Sequence, residues 1–148
     1  MAVGACEGGP VITDTPASVA GAPRVLILED EPLTAMMLAR AVTARGLAVS
    51  GPYHRPEKAL DALRADAPDA ALLDVSLGPA ATSLAVADAL AAGGVPFAFI
   101  TGYGPETAPV VAAHPDKLVI PKPVDQDTVW MLLGELLGEV PGRAKGAA

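Results

Sequence analysis

The chain has 148 residues, 51% of them hydrophobic and 18% charged, proportions that suit a single globular domain and argue against a disordered protein. Its formal net charge of -7 repels a phosphate backbone, and no cluster of Lys and Arg offsets it, so direct nucleic-acid binding is not expected. No apolar run approaches the ~18 residues that span a bilayer, so no membrane association is expected either.

Residues 1–23 are rich in Gly, Ala, Pro and small polar residues without periodicity, and they read as a flexible tail. Cys6, within that tail, is the sole cysteine. One thiol forms neither an internal disulfide nor a metal cage, which fits a reducing compartment, and the protein is expected in the cytoplasm. The folded unit is expected over residues 24–138, with residues 139–148 as a second flexible tail.

The first strand is the apolar run Val25-Leu26-Ile27-Leu28, which stops abruptly at Glu29-Asp30-Glu31. Pro32 opens a helix with Leu33, Met36, Met37 and Ala41 at helical spacing, and Gly46 stops it. Both methionines read as core filler. Leu47 to Ser50 reads as a second strand, and Glu57 to Ala65 as a helix with Ala59, Leu60 and Leu63 on one side. A third strand, Ala70 to Leu73, ends at Asp74. Thr82 then caps a helix that runs to Ala92 and closes at Gly93-Gly94. The fourth strand, Phe97 to Ile100, ends at Thr101, and Pro105 and Pro109 keep the helix after it short. The fifth strand, Leu118 to Ile120, ends near Lys122. In the last helix Val129, Leu132, Leu133 and Leu136 form a core-facing stripe. Trp130 lies beside that stripe, either as core or as part of a partner surface. His54 and His114 fall in proline-containing loops without metal-ligand spacing and read as surface residues.

Strands alternating with helices specify an α/β protein with helices on both faces of a parallel sheet. In such sheets ligands bind beyond the C-terminal strand ends. Glu29, Asp30, Asp74, Thr101 and Lys122 all fall at those ends. Clustered carboxylates repel one another, and a hard divalent cation such as Mg²⁺ relieves the repulsion through oxygen ligands. Asp30 and Asp74 are the expected direct ligands, with the backbone carbonyl of Ser76 as a third and Glu29 acting through water. A carboxylate oxygen of Asp74 can attack phosphorus, while Lys122 and Thr101 serve the phosphoryl oxygens.

Four segments then carry a resemblance. They are Val25-Leu26-Ile27-Leu28-Glu29-Asp30-Glu31-Pro32, Leu72-Leu73-Asp74-Val75, Phe99-Ile100-Thr101-Gly102 and Lys122-Pro123. In this order, each at a strand end, they resemble the receiver domain of two-component response regulators over residues 24–138. The resemblance implies a flavodoxin-like (βα)5 doubly wound parallel sheet with strand order 2-1-3-4-5. It implies Asp74 as phosphoacceptor, Glu29 and Asp30 as the acidic pair, Thr101 as the switch hydroxyl and Lys122 as the site lysine. It also implies a cis peptide bond at Lys122–Pro123. Val119 stands where many receivers carry an aromatic switch residue. Phe97 to Tyr103 is similar to a subgroup with a Phe-Ala-Thr-Gly-Tyr motif, apart from Ile100, and that subgroup consists largely of stand-alone bacterial receivers. Tyr103 either covers the phosphoryl site or is a half-buried loop tyrosine.

The expected function is therefore a single-domain response regulator rather than an enzyme. It takes phosphate from a sensor histidine kinase or histidine phosphotransfer protein with Mg²⁺. Its output is contact with a downstream protein, phosphate relay or phosphate drain, and a homodimer through the last helix is one possible assembly. The alternative is an aspartate-nucleophile phosphatase of the haloacid dehalogenase type. That class wants a second Asp two residues after the nucleophile, whereas Asp30 is followed by Glu31-Pro32. A nucleotide- or flavin-binding module would need a GxGxxG turn or a P-loop, and the chain has neither.

Overall fold

The computed structural model describes residues 21–75, 77, 82–102 and 109–138. Residues 1–20 of the expected 1–23 tail, the expected tail at 139–148, and the expectations for Cys6, Ser76 and Tyr103 lie outside the described residues. Among the described residues the order is β1 (Arg24–Leu28), α1 (Pro32–Ala44), β2 (Ala48–Tyr53), α2 (Pro56–Ala65), β3 (Ala70–Asp74), α3 (Leu84–Ala92), β4 (Phe97–Thr101), α4 (Pro109–Ala113), β5 (Val119–Pro121) and α5 (Gln126–Leu137). The strands pair in parallel as β2-β1-β3-β4-β5. This is the doubly wound 2-1-3-4-5 sheet of the flavodoxin-like fold.

Alternation along the central strands divides the core into two layers. Val25 and Ile27 of β1 face Leu38 and Val42 of α1 and Val129, Leu132 and Leu133 of α5. Leu26 and Leu28 point the other way, into a cluster with Ala59 of α2, Val86 and Leu90 of α3, and Phe97 and Phe99 of β4. All five residues of β3, and all five of β4, are buried. A parallel strand sandwiched between helix layers needs apolar side chains on both faces, which is why these runs are continuous rather than alternating.

Helix α1 departs from the sequence expectation. Its buried residues are Ala35, Leu38, Ala41 and Val42, whereas Leu33 and Met36 are 73% and 53% exposed. Met37 is partly buried against the core. The helix is apolar nearly all round, and the crossover from β1 chooses which stripe meets the sheet. Met36 is therefore not core filler. Helix α3 begins one residue later than expected, with Ser83 at the N-cap and no side-chain cap bond. Thr82 contributes instead by accepting the Leu84 N–H at 3.3 Å. Helix α5 keeps its expected stripe and is capped by Asp125, whose carboxylate accepts the Thr128 N–H at 2.9 Å. Trp130 is tied down within the fold. Its indole N–H donates to the Ala41 carbonyl at 2.8 Å, and the Arg45 guanidinium lies 4.7 Å from its ring centroid.

His114 is not a surface residue. Its side chain is 12% exposed and meets the Phe97 ring edge-on at 5.5 Å. Its Nε2 lies 2.8 Å from Asp88 Oδ1. The ring thus wedges the turn after α4 against β4 and α3. Sequence spacing alone cannot reveal such a contact, because its partner Asp88 lies 26 residues earlier and Phe97 sits on a different element.

Strand β2 runs three residues beyond its expected end, to Tyr53. Its pairing with β1 is irregular, since Leu26 faces Ser50 but Leu28 faces Tyr53. One extra residue on β2 makes this a bulge. The peptide bond Gly51–Pro52 is cis, as is Lys122–Pro123. Gly51 has φ +103°, and a Cβ there would sit 2.6 Å from the Tyr53 backbone nitrogen. Gly51→Ala is therefore expected to cost about 2–3 kcal/mol through backbone strain. Urea unfolding would show this, and an unchanged midpoint would refute it.

Candidate functional site

Each site residue sits where a buried strand gives way to a loop. Strand β1 ends at Leu28, and Glu29 continues the ladder by donating its N–H to the Tyr53 carbonyl at 2.8 Å. Its side chain is fully buried. Asp30 follows in the turn and is exposed. Asp74 closes β3 at 4% exposure. Thr101 closes β4 and is buried beside it. The Thr101 carbonyl accepts the Lys122 N–H at 2.8 Å, which fixes where β5 releases its lysine.

The lysine joins the acids. Lys122 Nζ donates to Asp74 Oδ2 at 3.2 Å and to Glu29 Oε2 at 3.1 Å. Glu29 Oε2 also accepts the Glu31 N–H at 3.1 Å. Carboxylate oxygens of Glu29, Asp30 and Asp74 all lie within 4.8 Å of one another. Strand ends far apart in sequence thus bring Glu29, Asp30, Asp74 and Lys122 together, with Thr101 on the neighbouring strand.

The electrostatics follow from burial and crowding. Burial pushes the Asp74 carboxyl up, the Glu29 carboxylate adds to this, and Lys122 opposes it, leaving its pKa raised to about 7. Burial works against the charge on Lys122, but Asp74 and Glu29 outweigh it and hold its pKa above the ordinary lysine value. One ammonium among three carboxylates leaves excess negative charge.

A groove of about 590 Å³ opens beside Lys122, lined by Leu33, Thr34 and Met37 of α1 and by Pro123 and Val124. Val119, at the aromatic-switch position, is partly buried against the second core layer and pairs in register with Phe99. His54 is exposed, as its surface reading expected, but that reading did not show its contact with the site. His54 lies past the end of β2 on the same rim, and its Nδ1 is 2.9 Å from the Glu29 carbonyl. The early end assigned to β2 hid its approach to Glu29.

No family model matches the sequence, and no curated protein matches it. Solved structures do. The signal receiver domain of a modulated diguanylate cyclase from Desulfovibrio desulfuricans G20 is 30% identical with a TM-score of 0.69, covering 79% of this chain and 94% of that one. SdrG from Sphingomonas melonis Fr1 is 35% identical with a TM-score of 0.69, covering 80% of this chain and 99% of that one. The chain belongs to the response regulator receiver family. The REC domain of the PhyR response regulator from Erythrobacter litoralis is 29% identical with a TM-score of 0.68, and the match covers 84% of this receiver and 96% of that domain.

Receivers imply a divalent cation, and the donor set of this one suits it. Three carboxylates converge within 4.8 Å. The Oε1 atom of Glu29 is buried without a hydrogen-bond partner, although the Lys122 ammonium lies 3.1 Å away. Hard oxygen donors with uncompensated charge are what Mg²⁺ takes. Among the described residues no helix is long and apolar enough to cross a membrane.

Proposed function

We propose that this receiver, taken as residues 24–138, is a phosphorylation switch with Asp74 as the acceptor. The observation that supports it most is the position of Lys122, whose ammonium bridges Asp74 and Glu29 at the shared rim. The donor is a phosphohistidine on a sensor kinase or phosphotransfer protein. Asp74 Oδ forms the new O–P bond as the P–N bond breaks, and the leaving imidazole keeps the electron pair and takes up a proton. Lys122 balances charge on the phosphoryl oxygens, and Thr101 donates a hydrogen bond to one of them. Asp30, Asp74 and the Ser76 carbonyl would hold Mg²⁺ directly, and Glu29 through water. The cation supplies charge neutralisation for the incoming phosphoryl group.

The groove along α1, with its apolar lip of Leu33 and Met37, offers the donor protein a seat beside the acceptor. Tyr103 shields the product from water. The output is contact with a downstream protein, onward transfer of the phosphate, or its drainage, in the cytoplasm of a bacterial cell. The 35%-identical SdrG has been solved in a BeF3-activated conformation, which makes the same mimic a natural probe here. Because Trp130 is already held against α1, a homodimer through α5 would use Met131, which is 52% exposed.

The test is intact mass after incubation with MgCl₂ and acetyl phosphate. One phosphoryl group should be gained, and Asp74→Asn should gain none. Continuous turnover of phosphate esters without an adduct would overturn the reading in favour of a haloacid dehalogenase type phosphatase.

A further inference from the structure

The turn that carries Asp30 starts from Glu29, whose backbone N–H and carbonyl are both held, each in its own peptide plane. The Glu29 N–H donates to Tyr53 O at 2.8 Å. The Glu29 carbonyl faces the His54 ring nitrogen Nδ1 at 2.9 Å. In a parallel ladder that carbonyl would accept the N–H of residue 55. The chain instead leaves for α2, with Arg55 at its N-cap and Pro56 opening the helix. The imidazole takes the place of the next rung. A carbonyl only accepts, so Nδ1 carries the hydrogen and donates it, whether the ring is neutral or charged.

That carbonyl belongs to the same plane as the Asp30 N–H. If its partner is lost, the plane is free to turn toward water, and the Asp30 Cα turns with it. The structure assigns to His54 the part of a positioning residue for the cation site: its Nδ1–H holds the Glu29–Asp30 peptide in the orientation that brings Asp30 to Glu29 and Asp74. His54 donates no ligand atom itself. The Gly51 bulge carries it there, since the bulge re-aims Tyr53 and His54 toward the end of β1. This inference rests on the cation-binding reading of the same rim.

The test compares Mg²⁺ affinity of the full chain by calorimetry, with MgCl₂ alone and no phosphodonor, for the parent and three variants. An asparagine amide nitrogen occupies the place of Nδ1, whereas a glutamine amide nitrogen falls near Nε2. His54→Asn should bind within about twofold of the parent. His54→Ala and His54→Gln should bind about five- to tenfold more weakly, the size of one lost supporting hydrogen bond. Urea midpoints should not follow this order, because a general structural loss would weaken asparagine and glutamine alike. Alanine binding as the parent does, or asparagine no better than glutamine, overturns the inference. A parent that binds no Mg²⁺ overturns the cation reading as well. Should the alanine variant unfold, the asparagine and glutamine pair decides the outcome.

Discussion

Asp74→Asn is expected to stabilise the metal-free protein at alkaline pH while it removes phosphoryl uptake. Asp74 keeps its proton in the folded chain up to about 7, against an ordinary value of 3.8. Between those values the folded state binds more protons than the unfolded one, so this group makes stability fall as pH rises from about 4 to about 7. Above that range the full penalty for an ionised Asp74 is present. At ~1.4 kcal/mol per pKa unit the shift corresponds to at most ~4 kcal/mol. Relaxation and water entry on ionisation reduce this, and asparagine, which carries no charge, should gain about 2 kcal/mol. Urea unfolding at pH 5 and pH 8.5 checks the sign. The variant's advantage must be larger at pH 8.5, and an equal or smaller advantage there would show that Asp74 is not the strained acid. Adding Mg²⁺ should stabilise the parent and not the variant, because only the parent offers the aspartate as a ligand.

The reverse result is expected for Lys122→Met. Glu29 is fully buried, and the ammonium 3.1 Å away is the cation that offsets its charge. Removing one member of a buried pair strands the other, at a cost of about 3–5 kcal/mol. The raised pKa of Lys122 means its contribution is fully present below the ordinary lysine range and is lost only as pH climbs through the higher folded value. A comparison at pH 8 therefore reads the whole effect. The loss should shrink near pH 5, where Asp74 carries its proton and less negative charge is left uncompensated. Millimolar Mg²⁺ should restore part of the stability at pH 8. Phosphorylation by acetyl phosphate should slow by about a hundredfold, the scale of losing one charge-stabilising donor. A variant as stable as the parent at pH 8 would mean that Glu29 finds another partner.

Much of this site could be read from the order of residues. An apolar run buried on both sides must end where the chain meets water, so Glu29, Asp74 and Thr101 announce their positions by following such runs. The α5 stripe was equally legible, because its polar positions leave one apolar face. Helix α1 was not. Leu33, Met36, Met37 and Ala41 form one apolar stripe, while Ala35, Leu38 and Val42 form another, and packing against the sheet buries the second with Ala41 but leaves Leu33 and Met36 exposed. The strap at Glu29 was hidden for a different reason. A left-handed Gly51 let β2 run on through a proline, and residue 54 then reached a carbonyl 25 positions earlier in the chain. His114 likewise takes its meaning from Asp88 and Phe97, which no local pattern connects to it.

The bulge in β2 has one more consequence. β2 and β5 are the outer strands of the sheet, and each contains a proline, Pro52 in one and Pro121 in the other. A proline has no N–H to offer an incoming strand, and a kinked or three-residue edge gives little length to template one. Both margins are thus closed to strand addition, which guards against sheet-to-sheet aggregation. Association of this molecule with itself or with a partner is left to its helices and loops.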